Sequence, residues 1–391
     1  MTQGQHGGGL GSGIFDSDSA TIDALIRECR VKSTSVKDGT GKPVRRRRSP
    51  LSSDAVATLA DVATLAGVST ASVSRVLNKR DSVGPEVRAR VDSAIRSLRF
   101  VPNAAARALR STKTRLVGAI IPTLNYAIYA RMVEALQEGL TSASISLIIK
   151  TSGYDLQKEY DQVRLLVEHG VDCVVVVGEA QRASTLQLLE QHGVPVVLTY
   201  ASSPGAVFPS VGFVNLDAAA AVARHLHDLG HRRYAMISGK SLHNDRVRDR
   251  ITGFVTGLGA LGVPSRDIRI TEVDYQMAAG HAAMRELLAR DGTVTAVFCG
   301  SDVLAVGALK ACKDAGVRCP QDVSIVGFDN LEIGEYVEPA LTTVEVSGAE
   351  MGAKAAEMVI SILGGISPAK SVCLDAPLIV RQSTAIAPKS P

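Results

Sequence analysis

From Leu116 onward the sequence alternates short apolar runs with amphipathic segments of helical period, and this alternation constrains the fold more than any other feature. The runs are LVGAIIP (116–122), SLIIKT (146–151), DCVVVV (172–177), PVVLTY (195–200), YAMIS (234–238), AVFCG (296–300) and SIVGFD (324–329). Segments such as ARMVEALQEGL, KEYDQVRLLVEHG, AAAVARHLHDLG, AAGHAAMRELLAR and AVGALKACKDAG separate them. Continuously apolar strands with helical crossovers belong in parallel sheets covered on both faces. With about ten such units, two similar α/β subdomains are expected rather than one very wide sheet.

The chain's net charge of +4 conceals an uneven distribution. Residues 1–115 hold 20 Lys/Arg against 10 Asp/Glu, and residues 116–391 hold 23 against 29. A front of +10 joined to a rear of −6 suggests a polyanion-binding module on an acidic carrier. The excess lies mainly in residues 58–115, which carry +7. With 391 residues and 46% hydrophobic side chains, a large core is easily built, and collagen-like or wholly disordered classes are excluded.

Residues 1–57 mix Gly, Ser and charge, and contain Arg45-Arg46-Arg47-Arg48. They are expected to form a poorly ordered tail. The arginines could add phosphate contacts, or the segment could be upstream sequence read from an early start codon. Residues 58–101 carry a three-helix pattern. Thr58 with Asp61 makes a capping box, and Leu59, Val62, Ala63, Leu65 and Ala66 mark the first helix's inward face. Gly67-Val68 breaks it, and Ser69 can cap TASVSRVLN, with Val73, Val76 and Leu77 inward. Pro85 opens a third helix running to about Leu98.

Two helices joined by a tight Gly-containing turn in a basic segment form a helix-turn-helix pattern. Ala63 is small where the helices would cross, and the second helix presents Thr70, Ala71, Ser74, Arg75 and Asn78 outward. Spacing alone leaves open an ordinary helical hairpin with a solvated polar face. The Ala-rich segment after Pro102 is too short to be a stable helix by itself, so it should fold only against a partner.

TLADVATLAGVSTASVSRVLN, the helix ending RFVPN, AAARALRS and LVGAIIP together resemble the LacI/GalR (lac-repressor-type) transcriptional regulators, over residues 58–387. The resemblance implies a sequence-specific, DNA-binding repressor. Its N-terminal all-α helix-turn-helix (58–101) would be followed by a hinge helix and linker (102–115). The effector-binding core (116–387) would be periplasmic-binding-protein-like, with two parallel-sheet subdomains: 116–214 with 344–370, and 215–343 with 371–387.

On the DNA side, Thr70 and Ala71 match the positions that dominate operator choice, and Arg75 matches a base contact suited to guanine. Ser69, Ser72 and Ser74 match phosphate or backbone contacts. Asn78 closes the helix, where a C-cap role is equally open. Asn103 begins the hinge helix, and Leu109 matches the leucine that wedges into the operator's central step. A homodimer on a pseudo-palindromic double-stranded operator is implied. VRQSTAIAPKSP lacks a leucine heptad, so no tetramerising coiled coil is expected.

In the core, candidate effector-binding residues lie just after strands: Asn125, Tyr129, Asn244, Arg246, Arg250, Tyr275, Asp302 and Asp329. Arg250 matches the family's effector-binding arginine. Tyr129 and Tyr275 match aromatic platforms, and Asp302 the acid that takes ligand hydroxyls. Asp329 is placed near the same cleft, where lining the site and only orienting its loop are both open. Two neighbouring arginines with Asn and Asp favour a sugar, a sugar acid or a similar polar metabolite. An Arg246/Asp249 surface network is the plainer alternative for Arg246.

No cofactor or metal is expected. HExxH, GxxxxGK[ST] and GxSxG are absent, and the six cysteines lack a CxxC and read as reduced, buried thiols. The histidines, among them His225, His227 and His231, read as surface residues. No apolar run approaches the roughly 18 residues of a membrane span, and the Gly-rich start carries no signal pattern, so a cytoplasmic location is expected. Two competing readings are a solute-binding receptor without a DNA role and an α/β enzyme. The helix-turn-helix argues against both.

Overall fold

The computed structural model describes residues 57–78, 82–101, 113–202, 207–290, 292–366 and 370–388. The tail over 1–56 lies outside them. The chain divides into two compact units, at Pro102 and Asn103.

The first unit holds α1 (Leu59–Ala66), α2 (Thr70–Asn78) and α3 (Pro85–Ser97). The capping box is present: the Thr58 N–H donates to Asp61 Oδ2 at 2.8 Å and the Asp61 N–H to Thr58 Oγ1 at 3.4 Å. Gly67 ends α1 in the left-handed region, at φ 63°, where a side chain would be strained. Val62, Ala63, Ala66, Val73, Val76, Val91, Ala94 and Phe100 form the core. Leu65, expected inward, is 56% exposed. Ala63 and Ala66 already fill the seam with small side chains, and Leu65 falls on the opposite face.

The second unit is the α/β core. Its first sheet contains β1 (Leu116–Ile121), β2 (Ser146–Thr151), β3 (Cys173–Val177), β4 (Val196–Thr199), β5 (Ser210–Gly212) and β11 (Val372–Cys373), all parallel, in the order β11-β5-β4-β3-β1-β2. α4 (Ala127–Ser142), α5 (Leu156–Glu168) and α6 (Ala183–Gln191) cross between its strands. The second sheet has the order β7-β6-β8-β9, from β6 (Tyr234–Gly239), β7 (Ile268–Val273), β8 (Ala296–Cys299) and β9 (Ser324–Val326). Its helices are α7 (Asn215–Asp228), α8 (Asp245–Ala260), α9 (Met277–Arg290) and α10 (Asp302–Asp314), with the short α11 (Ile333–Tyr336) after β9. In each sheet the strand order reverses beside its first strand, between β1 and β3 and between β6 and β8. Parallel sheets open a crevice at such points.

The chain passes between the subdomains three times. α12 (Gly348–Leu363) returns to pack on α4. β10 (Thr343–Val344) pairs antiparallel with β12 (Leu378–Ile379) at the crossing. The boundary expected at residue 370 moves. Val372 and Cys373 register with Val211 and Gly212, and Leu374 N–H donates to Gly212 O at 2.7 Å, so the first subdomain runs on to about residue 374.

His231 is fully buried rather than on the surface. Its Nδ1 lies 2.9 Å from Thr295 Oγ1, and its Nε2 lies 3.2 Å from the Ala385 carbonyl. Burial pushes its pKa down to about 4. Cys173, Cys299 and Cys312 are buried free thiols, whereas Cys373 is exposed on its short edge strand. No described helix is long and apolar enough to cross a membrane.

Candidate DNA-reading helix and effector cavity

Val73 and Val76 anchor α2 in the core, which turns Thr70, Ala71 and Arg75 to solvent on the opposite side. Those three exposed residues combine a hydroxyl, a methyl and a guanidinium, the chemistry suited to base edges. Ser69 is committed locally: its Oγ accepts the Ser72 N–H at 3.1 Å and lies 3.0 Å from the Ser72 hydroxyl. Ser69 therefore caps the helix through the Ser72 N–H, while Ser74 is half-buried. Asn78 is the last residue of α2. Asn103 and Leu109 lie outside the described residues.

Between the two subdomains lies a cavity. Every wall segment follows a strand's carboxyl end: Tyr126 and Tyr129 after β1, Tyr154 after β2, Tyr200 after β4, Asn244 to Arg250 after β6, Tyr275 after β7 and Asp329 after β9. Tyr129 and Tyr200 meet edge-to-face with ring centres 5.2 Å apart, and the Tyr129 and Tyr154 hydroxyls are 3.2 Å apart. Tyr126 from the first subdomain meets Tyr275 from the second at 5.8 Å, also edge-to-face. Tyr154, Tyr200 and Asp329 hold positive φ values of 63°, 65° and 112°. Such backbone costs energy and persists where a site's geometry requires it.

The polar wall centres on Arg250, which is buried on α8. Its Nη1 donates to Asn215 Oδ1 at 3.2 Å and its Nη2 to the Tyr275 hydroxyl at 2.9 Å. Its Cζ sits 4.6 Å from the centre of the Phe328 ring, a cation–π contact, and its Nε is buried without a hydrogen-bond partner. Asp329 accepts the Ser301 hydroxyl at 3.0 Å. Burial pushes the Asp329 carboxyl up to about 8, against the pull of neighbouring Arg250. Arg246 pairs with Asp245 at 2.8 Å and also donates to the Val177 carbonyl at 3.3 Å. Asp245 in turn accepts the Glu179 N–H at 2.6 Å. Gly178 makes room for this arrangement: at φ 84°, a Cβ there would run into the Arg246 guanidinium.

Of the sequence candidates, Tyr129, Asn244, Arg246, Arg250, Tyr275 and Asp329 line the cavity. Arg246 is buried beside Asp245 instead of joining a surface network with Asp249. Asn125 is exposed, outside the lining. Asp302 is fully buried behind the wall, where Oδ1 accepts the Thr343 hydroxyl at 2.6 Å and Oδ2 the Leu331 N–H at 2.7 Å. The two acids thus exchange the roles expected from sequence: Asp302 braces the loop and Asp329 faces the cavity.

Sequence reasoning missed Tyr126, Tyr154, Tyr200, Phe213, Asn215 and Ser301. Tyr154 and Tyr200 stand within three residues of a recognised apolar run, so the strand-end rule could have found them. Phe213 and Asn215 follow β5, whose three residues leave no legible run. No group of side chains among the described residues could hold a metal ion.

Residues 58–103 match the family model for bacterial regulatory proteins of the lacI family, and 223–384 match a periplasmic binding protein-like domain. The HTH-type transcriptional repressor PurR of Erwinia tasmaniensis is 31% identical over 336 residues, 85% of this chain and 98% of that protein. A LacI-family transcriptional regulator from Silicibacter pomeroyi superposes with a TM-score of 0.76 at 27% identity, over 84% of this chain and 99% of that one. The transcriptional regulator CelR, solved with cellobiose, superposes with a TM-score of 0.61 at 29% identity, over the same 84% and 99%.

Proposed function

Because the chain belongs to the LacI family of bacterial regulatory proteins, we propose that it is a repressor whose operator affinity is set by a sugar bound in the cleft of its core. It is a DNA-binding transcriptional regulator with a ligand-binding core. The sugar, the residues that hold it and the way its binding reaches DNA are our reading.

The composition of the cavity wall carries this reading. Tyr126, Tyr129, Tyr154, Tyr200 and Tyr275 supply ring faces and hydroxyls, while Arg250, Asn215 and Asp329 supply a convergent polar edge. The C–H faces of a sugar ring pack on aromatic rings, and its hydroxyls bridge a guanidinium and a carboxyl. Each guanidinium in the wall has a carboxyl beside it, Asp245 for Arg246 and Asp329 for Arg250. Asp245 neutralises Arg246, and most other polar groups of the wall are uncharged tyrosine hydroxyls and asparagine amides, which suits a neutral sugar. The cellobiose bound by CelR lends support.

Tyr126 and Tyr275 approach the ligand from opposite subdomains, so a ligand that binds one cleft geometry better shifts the subdomains' relative orientation. In a homodimer, each α2 would read one half-site of a pseudo-palindrome. The hinge around Asn103–Arg110, with Leu109 as the wedge, would fold when both halves are in register. Such a protein works on DNA in the cytoplasm, as a regulator and not an enzyme.

The test is fluorescence anisotropy of the full-length protein on DNA from its own upstream region, with neutral sugars, sugar acids and nucleobases added in turn. A neutral sugar is expected to shift the apparent Kd at least tenfold, and the shift should vanish in Arg250→Ala. A shift produced only by sugar acids or nucleobases would replace the ligand class. No specific DNA binding at all would overturn the reading.

A further inference from the structure

The first turn of α8 reaches across the cleft and seats on the end of β3. Asp245 and Arg246 belong to the second subdomain, and each meets backbone of the first. The Glu179 N–H donates to Asp245 Oδ2 at 2.6 Å, and Arg246 Nη1 donates to the Val177 carbonyl at 3.3 Å. The same Nη1 donates to Asp245 Oδ1 at 2.8 Å, so the two side chains bind as one unit. Both residues are buried. Gly178, between the two backbone partners, is their socket. Its φ of 84° suits glycine, and a Cβ there would run into both the Arg246 guanidinium and Asp245 Oδ1. Glu159 of α5 is buried with its Oε1 unpartnered, and adds a first-subdomain carboxyl that attracts the same guanidinium.

All of these contacts run from protein to protein, across the gap that an effector would enter. Losing one partner while the other stays buried is costly, whereas opening the cleft hands every group to water together. Desolvation also offsets much of what a buried ion pair gains by attraction. The pair is therefore a reversible fastening and not a fixed brace. Arg246 lines the effector cavity as well, so the fastening and the ligand site share one guanidinium.

We propose that Asp245 and Arg246 form a latch, with Gly178 as its socket, that holds the two subdomains in the closed orientation before any effector arrives. Asp245 and Gly178 are positioning residues. Neither lines the effector cavity, and both act through Arg246. The effector meets a preformed cleft, and its apparent affinity is reduced only by the fraction of protein that is unlatched. This holds whatever the effector is, and so does not depend on the sugar reading.

Two adjacent amides report on the latch separately. The Gly178 N–H donates to the Thr199 carbonyl at 2.8 Å, inside the first subdomain, whereas the Glu179 N–H donates across the cleft to Asp245. Opening frees the second and spares the first. The experiment is residue-resolved hydrogen exchange on the full-length protein without DNA or added ligand, with small-angle scattering of the same samples. In the wild type the Glu179 amide should be protected about a hundredfold relative to a free amide. In Asp245→Ala that protection should fall at least tenfold with Gly178 unchanged, and the radius of gyration should increase. Asp245→Asn, which keeps an acceptor oxygen, should recover part of both. Gly178→Ala breaks the latch from the opposite subdomain and should reproduce the loss at Glu179 and the larger radius, which guards against a defect peculiar to one variant. The latch is wrong if Glu179 exchanges freely in the wild type. It is equally wrong if the radius stays unchanged in both alanine variants, or if residues 178 and 179 lose protection together in both, which is local fraying of β3.

Discussion

Arg250 donates through Nη2 to the Tyr275 hydroxyl at 2.9 Å. Tyr275 in turn meets Tyr126 of the other subdomain edge-to-face at 5.8 Å. The guanidinium, the ring and the opposite wall therefore form one connected chain across the cleft, and a ligand inserted there must engage or displace it. Two substitutions separate its parts. Tyr275→Phe keeps the ring contact and removes the acceptor, and should weaken sugar binding about tenfold, near 1.4 kcal/mol. Arg250→Ala removes the charge and its contacts with Asn215, Tyr275 and Phe328 together. It should abolish the sugar's effect on operator affinity while leaving DNA affinity without sugar largely intact. Equal losses in the two variants would show that the hydroxyl, not the charge, matters.

Asp302 and Asp329 offer a sharper contrast, because chemically similar acids should give opposite phenotypes. Asp302 accepts from Thr343 and from the Leu331 backbone, deep behind the wall. Asp302→Asn sets an amide N–H against one of those donors and should cost about 1–3 kcal/mol, read as a lower denaturation midpoint. Asp329→Asn should leave the midpoint nearly unchanged and weaken sugar binding tenfold or more. The reverse pattern would restore the assignment suggested by sequence alone.

That exchange of roles marks where the sequence stops being legible. The apolar runs located β1, β3, β4, β6, β8 and β9, because strands buried on both faces carry continuous hydrophobic signal, and also β2, a partly exposed edge strand, through its Leu-Ile-Ile centre. β7 escaped because IRITEV is a mostly exposed edge strand with alternating polar residues. β5, β10, β11 and β12 are two or three residues long and too short to leave a pattern. For the site, position after a strand identified which loops face the cleft. It could not say which side chain within a loop turns inward. Asp302 follows β8 as Asp329 follows β9, and only tertiary contacts to Thr343 and Leu331 decide that Asp302 points away. The buried setting of His231 was equally invisible, since its partners Thr295, Ser324 and Ala385 are remote in sequence.

Sugar binding should depend on pH through Asp329. Its carboxyl is pushed up to about 8 in the free protein, so it is largely protonated at pH 6 and ionised at pH 9. A ligand hydroxyl donating to the carboxylate prefers the ionised form, so affinity should rise from pH 6 to pH 9 and binding should release a proton below pH 8. In Asp329→Asn the slope should be lost. Calorimetry in buffers of different ionisation enthalpy counts the proton directly, and uptake instead of release would refute the role.

Fold stability should carry an opposite signature from His231. Its pKa is lowered to about 4 from an ordinary value near 6.5. The unfolded chain therefore binds more protons between those values, so the stabilisation is present above pH 6.5 and is lost as pH falls through 4. The change is about 3 kcal/mol at most. Asp302 and Glu159, both raised to about 7, work the other way: their contribution is present below pH 4 and is lost as pH rises through 7. Asp329, raised to about 8, adds to that fall, so three carboxyls outweigh one imidazole and the native protein loses stability from pH 4 to pH 7. Replacing His231 by Gln removes the opposing contribution and should steepen the fall. Urea midpoints across that range distinguish the two profiles. A variant profile parallel to the native one would mean that His231 does not titrate in this window.

The exposed face of α2 makes the DNA-binding prediction specific. Val73 and Val76 are locked in the core, so Thr70, Ala71 and Arg75 are the side chains free to approach bases. Arg75→Ala should cost about 1–3 kcal/mol on the preferred operator and relax discrimination at one base pair, without changing the thermal midpoint. Ser69→Ala should act differently, because Ser69 caps α2: it should lower the midpoint by the ~1 kcal/mol typical of a lost N-cap and weaken all DNA sequences alike. Leu65→Ala, on the exposed side of α1, should change stability by no more than about 0.5 kcal/mol. Systematic binding measurements over single-base operator variants, at two salt concentrations, separate these effects. If Arg75→Ala lowers affinity uniformly and reduces the salt slope by about one, Arg75 is a phosphate contact and the base-reading role passes to Thr70 and Ala71.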